Sequence, residues 1–197
     1  IADRPPGETE RAVGDRVFGS TGARAGTHAE FIVVAESHAI ATLPPSVSYA
    51  QAVALGDGAM TSLPFLRDIG RLKPGARVLV NGASGAVGSS AVQIAKHLGA
   101  TVAAVTSGPN AELVRKLGAD QVIDYAATDF TTLEQKWDIV FDAVGSSTFT
   151  KAKRVLAPNG IYLSTVPGVI LMQSLFTKRA AISFTGLRSD AAKRPDL

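Results

Sequence analysis

From Leu72 onward, short apolar runs rich in β-branched residues alternate with segments whose apolar residues recur at helical spacing. "ARVLVNGA" reads as a strand, "AVGSSAVQIAKHLG" as a helix and "TVAAVTS" as a strand. "NAELVRKLGAD" follows as a helix, "QVIDY" and "WDIVFDAVG" as strands, "TFTKAKRVLAPNG" as a helix, and "IYLSTVPG" and "AISFTGL" as strands. Strands this continuously apolar are those whose two faces are both covered by helices. Strand and helix alternating at this period predict an α/β fold built on a doubly wound parallel sheet.

The earlier residues read differently. "DRVFG" and "HAEFIVVA" are strand-like runs separated by the glycine-rich "STGARAGT", and "ATLPPSVS" behaves as a linker. "SYAQAVALGDGAMTSLPFLRDIG" carries apolar residues at helical spacing broken near "GDG", which predicts two helices or one kinked helix. With 46% hydrophobic and 19% charged residues among 197, the chain can bury a sizeable core. Charged, Gly or Pro residues interrupt every apolar stretch before it could span a bilayer. The net charge of +3 is spread over helix faces rather than gathered in a patch, so neither nucleic acid nor membrane is expected as a partner. The chain has no cysteine, which removes disulfides, thiolate catalysis and Cys-ligated zinc. A cysteine-free chain with no visible targeting segment suggests the cytoplasm, or an organellar matrix if such a segment has been lost.

In a doubly wound sheet the turn after the first strand is the favoured ligand position. Here it reads Ala83-Ser84-Gly85-Ala86-Val87-Gly88, a G-x-G-x-x-G turn with Ala83 at the first glycine position. Gly85 would let the backbone approach a pyrophosphate, Gly88 would allow close helix–strand packing, and the N–H groups opening the helix would bind the anion. Other mechanisms that place a glycine turn between strand and helix lack their partners. A P-loop needs a lysine after the last glycine, and none occurs before Lys96. A nucleophile elbow needs a later histidine, and the last one is His97, inside the next helix. Tyr49, Tyr125 and Tyr162 have no lysine four positions on, as a short-chain reductase would require. The turn is expected to hold a dinucleotide.

An NAD site places an acid at the end of the second strand, on the ribose 2′-hydroxyl. That position reads "VTSGPN", without an acid, while Ser107 and Asn110 can donate hydrogen bonds to a 2′-phosphate. This favours NADP(H); the loop carries no arginine or lysine, and Ser107 and Asn110 also suit a plain turn.

Together, "VLVNGASGAVGSSAVQIAKHLGATVAAVTS", "AELVRKLGADQVIDY" and "WDIVFDAVG" resemble the cofactor domain of medium-chain dehydrogenase/reductases, in the zinc-independent branch around NADPH:quinone oxidoreductases. "GDRVFGSTGARAGTHAEFIVVAES" resembles the later part of that family's GroES-like catalytic domain, and the likeness runs from about Gly14 to Leu187. The resemblance implies a partial GroES-like β domain over 1–45 and a Rossmann-type NADP-binding domain over 46–197, incomplete at its C-terminus. The chain is thus expected to be part of a longer protein. Thr61 would lie near the nicotinamide and its ribose. Ser84, Gly85, Ala86 and Val87 would form the pyrophosphate turn, and Ser107, Asn110 and Tyr125 would surround the adenosine 2′-phosphate. Asn110 stands where some relatives carry lysine. Val144, Gly145, Ser164, Thr165 and Val166 would line the cofactor cleft from two strand ends.

Zinc-dependent relatives use cysteine and histidine ligands; with only His28, His38 and His97, none at ligand spacing, no metal is expected. The implied activity is NADPH-dependent hydride transfer to a quinone or an α,β-unsaturated carbonyl, with no catalytic acid identifiable in the chain. A non-catalytic cofactor-binding member of the fold and an enoyl-thioester reductase are the alternatives. The family's habit of dimerising through an edge strand makes "AISFTGL" a candidate homodimer interface.

Overall fold

A computed structural model of the chain describes residues 11–21, 26–35, 38 and 40–182. Near the start, β1 (Val17–Gly19) pairs antiparallel with β2 (Ile40–Thr42). The Arg16 guanidinium ties this ribbon to the start of the first helix, donating to Val47 O (2.8 Å) and lying 4.7 Å over the Tyr49 ring.

Residues 49–69 form one continuous helical run. It comprises α1 (Tyr49–Ala54), a π-helical turn (Leu55–Ala59), α2 (Met60–Pro64) and a second π-helical turn (Phe65–Ile69). Ser48 and Gln51 close a capping box at its start. The break expected at "GDG" is therefore a change of helical pitch, one residue wider per turn.

The body of the fold is a parallel sheet of β3 (Arg77–Asn81), β4 (Thr101–Thr106), β5 (Gln121–Asp124), β6 (Trp137–Asp142), β7 (Leu156–Ser164) and β8 (Ala180–Ile182). Its spatial order is β5-β4-β3-β6-β7-β8, the 3-2-1-4-5-6 order of a doubly wound sheet, and every neighbouring pair is parallel. α3 (Ala86–His97), α4 (Ala111–Lys116), α5 (Phe149–Ala152) and α6 (Val169–Phe176) supply crossovers. A 3-10 turn (Phe130–Thr132) lies on the path from β5 to β6.

Alternate strand residues face opposite cores, as the pleat dictates. Val78, Val80, Val102, Ala104, Ile139 and Phe141 pack with α3 and the helical run, where the Phe65 and Phe141 rings lie 5.4 Å apart. Leu79, Val105, Val140 and Tyr162 pack on the other face with Trp137, Phe130 and Val155.

Two expectations fail. "HAEFIVVA" forms no strand; its Phe31 and Val33 are 77% and 95% exposed. A strand needs a partner ladder, and no described residue pairs with this run. The helix expected over "TFTKAKRVLAPNG" stops at Ala152, and Leu156 already pairs with Trp137. Pro158 and Gly160 fall in an irregularity, where the register moves from Leu156 opposite Trp137 to Ile161 opposite Ile139. The Arg179 side chain holds it, donating to Gly160 O (2.9 Å) and Ala157 O (2.8 Å). The helix α6 was not anticipated, because its residues are apolar nearly all round. Beyond Ile182 the proposed interface strand "AISFTGL" lies outside the described residues.

Gly88 is where α3 meets the sheet. A Cβ there would overlap the Gly82 carbonyl oxygen and sit 2.8 Å from Ala83 Cα, both backbone and unable to yield. Gly88→Ala is expected to lower unfolding stability by about 2 kcal/mol or more in urea titrations, as overpacking of a rigid contact does.

Candidate functional site

The sheet reverses direction of winding between β3 and β6, and ligands of such folds bind outside the strand ends at that point. The turn after β3 explains its missing glycine. Gly82 takes φ +80°, and the N–H groups of Gly82 and Ala83 both donate to Val105 O (3.1 and 3.0 Å). The left-handed residue is thus one position earlier than the motif's first glycine. Ala83 keeps a negative φ and is fully buried in the core. Gly82 has a second role, since a Cβ there would lie 2.5 Å from Val144 Cγ1.

Gly85 caps α3 with extended backbone, and no side chain hydrogen-bonds the helix start. The first N–H groups of a helix have no intrahelical acceptor, so this end is free to bind an anion. A Cβ on Gly85 would meet only Gly82 O at 3.5 Å, an ordinary contact. Nothing inside the protein requires glycine here, and the residue lines a cavity. Ser62 Oγ donates to Val87 O (2.7 Å), and Gly58 packs so close to Ala86 O and Ser90 Oγ that a Cβ would overlap both. The π-turn run therefore lies across the first turn of α3 and brings Thr61, half-buried on α2, to that end of the sheet.

The loop after β6 is built on Asp142, a fully buried carboxylate. Its Oδ1 accepts from Asn81 Nδ2 (3.0 Å), Val144 N (3.2 Å) and Gly145 N (2.8 Å). Its Oδ2 accepts from Ser147 N (2.9 Å) and the Tyr162 hydroxyl (2.8 Å). Asn81 Nδ2 also donates to Ser146 Oγ (2.9 Å). Burial, and then the adjacent Asp142 charge and its hydrogen bond, push the Tyr162 phenol far above its usual value. Beside this loop, Thr165 Oγ1 donates to Ala143 O (3.2 Å), Val166 N donates to Ser164 Oγ (3.2 Å), and the Val166 side chain closes on Gly145.

Between these loops lies a cavity of about 710 Å³. Six of the sequence-derived residues line it: Ser84, Gly85, Ser107, Asn110, Tyr125 and Val144. Asn110 Nδ2 donates to both Ser107 Oγ (3.1 Å) and Ser84 Oγ (3.3 Å), and Ser84 Oγ also accepts from Thr106 Oγ1 (2.9 Å). Ala86 and Val87 stand just outside it, on the first turn of α3, and Gly145 follows Val144. Thr61 and the 164–166 segment are not part of its lining. Sequence reasoning missed Asn81, Ser146, Ser147, Asp129, Thr131 and Lys151, which also line it. An acid closing an apolar strand in "WDIVFDAVG" was the available signal for Asp142 and the loop it holds. Lys151 came from a segment read only as helix, and Asp129 from the stretch between "QVIDY" and "WDIVFDAVG", to which no element was assigned.

The strand order, the glycine turn and the open helix end define a Rossmann-type α/β domain. The family model described as zinc-binding dehydrogenase matches residues 86–183. A 2-methylene-furan-3-one reductase of Solanum lycopersicum is 38% identical over 156 residues, covering 75% of this chain and 39% of that protein. The mycoketide-CoA synthase of Mycobacterium tuberculosis is 31% identical over 187 residues, 88% of this chain but 4% of that protein. The Escherichia coli quinone oxidoreductase solved with NADPH superposes with a TM-score of 0.61 at 29% identity, over 73% of this chain and 47% of that one. The chain belongs to the medium-chain dehydrogenase/reductase superfamily and spans less than half the length of each of these relatives. Among the described residues no cluster of His, Cys, Asp or Glu is arranged to hold a metal, and no helix is long and apolar enough to cross a membrane.

The Tyr162–Asp142 bond has a pH signature. In the folded chain the phenol keeps its proton well above the ordinary value of 10.0, whereas the unfolded phenol loses it there. Its contribution to stability is therefore complete below pH 10 and declines as pH rises past it, by up to about 1.4 kcal/mol per pH unit. Denaturant titrations between neutral and strongly alkaline pH are expected to show a shallower decline for Tyr162→Phe than for the parent chain.

Proposed function

We propose that this chain carries the NADPH-binding part of an oxidoreductase that transfers hydride to a quinone or an α,β-unsaturated carbonyl without zinc. One observation carries the reading: the acid-free end of β4 contributes Ser107 and Asn110 to the cavity that Ser84 and Gly85 also line. The quinone oxidoreductase whose structure contains NADPH and the furanone reductase of tomato are the supporting relatives.

The residues fit a dinucleotide. The uncapped start of α3, from Gly85 through Ala86 and Val87, would bind the pyrophosphate by backbone N–H groups and the helix dipole. Ser107, Asn110 and Tyr125 would surround the adenosine phosphate. Thr61, Val144, Gly145, Ser164, Thr165 and Val166 would line the cleft toward the nicotinamide, at the ends of β6 and β7 and on α2. When bound, the cofactor supplies the hydride, and the chain's task is to hold it in one orientation and keep water away. Residues 1–45 would belong to a GroES-like catalytic domain and 46–197 to the cofactor domain, in a protein that dimerises. The zinc-free reading rests on the ligand inventory, no cysteine and three histidines, and the lack of cysteine accords with a reducing compartment such as the cytoplasm.

An enoyl-thioester reductase is the second reading, favoured by the match to the mycoketide-CoA synthase over 88% of the chain. Full-length protein mixed with NADPH and a panel of quinones, enones and enoyl thioesters, followed by cofactor absorbance, separates the readings. Quinone or enone turnover with NADPH preferred over NADH is expected. Oxidation with enoyl thioesters alone would favour the second reading, and tight NADPH binding without oxidation would mark a non-catalytic binder. Gly85→Val is expected to weaken NADPH binding at least roughly tenfold by blocking the approach of the pyrophosphate. Its unfolding midpoint should stay close to the parent value, because a Cβ at this position meets no tight contact.

A further inference from the structure

The cavity also has two charged lining residues, Asp129 and Lys151, that the glycine turn does not supply. Asp129 reaches the cavity from the loop after β5 and Lys151 from α5. The two interact electrostatically, yet no ion pair within 4 Å closes between them. Asp129 is held in place from one side: its Oδ1 accepts from Thr131 N (2.9 Å) and Thr131 Oγ1 (2.8 Å). These bonds, with the nearby Lys151 charge, keep the carboxyl below its usual range and therefore ionised at neutral pH. Its Oδ2 is left as an acceptor. On the β6 loop, the Oγ of Ser147 is buried without a hydrogen-bond partner and belongs to a residue lining the same cavity. A buried hydroxyl without a partner costs stability unless something arrives to bond it.

We propose that Asp129 and Lys151 read the base of the bound dinucleotide, selecting adenine by its donor–acceptor edge. This rests on the site being a dinucleotide site. With a pyrophosphate on α3, the half of the molecule beyond it that passes Ser107 and Tyr125 is the adenosine half, since it lies over the ends of β4 and β5. The base then extends into the part of the cavity lined by Asp129, Thr131, Ser147 and Lys151. Adenine presents an N6 amino donor next to an N1 acceptor. A carboxylate accepts from the first and an ammonium donates to the second. Hypoxanthine carries an O6 acceptor and an N1–H donor, the reverse at both positions, so the same pair repels it. Ser147 Oγ completes the set as a further polar contact to the base or its ribose.

The test measures dissociation constants, by fluorescence or calorimetry, for the full chain with NADPH and with its hypoxanthine analogue. The same comparison is made with NADH and its hypoxanthine analogue. The parent chain is expected to bind the adenine form roughly tenfold more tightly, the lower range for a paired base-edge contact. Lys151→Met and Asp129→Asn are each expected to remove most of that preference, and Lys151→Arg to restore it. Equal binding of both bases by the parent, or a preference that survives both substitutions, overturns the proposal. A preference for NADH over NADPH would revise the cofactor reading while leaving the base comparison intact. If neither dinucleotide binds, the dinucleotide reading itself fails and base selection fails with it.

Discussion

The buried carboxylate of Asp142 organises the end of the sheet at which the cavity opens. It collects five donors from the strand before the glycine turn, from its own loop and from the next strand. A charge this far from solvent persists only when its hydrogen bonds are met, and here each donor is also a constraint. Asn81 links β3 to the loop, Val144 and Gly145 are pulled into a tight turn, and Tyr162 anchors β7. Gly82 then fits against Val144 because neither can move away. The glycine turn and the β6 loop, which both line the cavity, are thereby fixed relative to each other by one side chain.

The sheet was legible because its strands are apolar on both faces, and its doubly wound parallel character followed from alternation with helices. Gly88 and the open helix start were legible for the same reason, since a strand–turn–helix passage leaves few ways to pack. Residues 28–35 were not, because β pairing depends on a partner that local pattern does not supply. The run 148–160 misled because apolar residues at helical spacing precede Pro158 and Gly160, and tertiary pairing of Leu156 with Trp137 took precedence over spacing. Of the cavity's lining, the sequence singled out Ser84, Gly85, Ser107, Asn110, Tyr125 and Val144, each next to a strand end, whereas Asp129, Ser147 and Lys151 come together by chain crossings that no local window contains.

The helical run before the sheet shows how an irregularity can serve position. A π turn widens the helix by one residue and shifts the phase of its faces. Gly58, in the first such turn, meets α3 backbone at a distance no side chain would tolerate, and Ser62 then bonds Val87. The contact falls on the first turn of α3, whose free N–H groups would hold the anion. An element from outside the doubly wound core thus braces a helix start that no side chain caps.

The proposed preference for NADP(H) turns on charge. The end of β4 lacks an acid, but Asp124 at the end of β5 lies against Gly108, where a Cβ would come 2.9 Å from its Oδ2. Asp124 is not among the residues lining the cavity; its Oδ1 is engaged with Ala126 N (2.9 Å). A 2′-phosphate beside Ser107 would therefore meet hydrogen-bond donors that line the cavity, whereas the nearby Asp124 carboxylate does not line it. Donors in contact act at full strength, whereas a charge that does not reach the cavity acts only at a distance, where water and salt screen it. This ordering is why Ser107 and Asn110, rather than Asp124, decide the reading toward NADP(H), and why the preference should be weaker than where an arginine faces the phosphate.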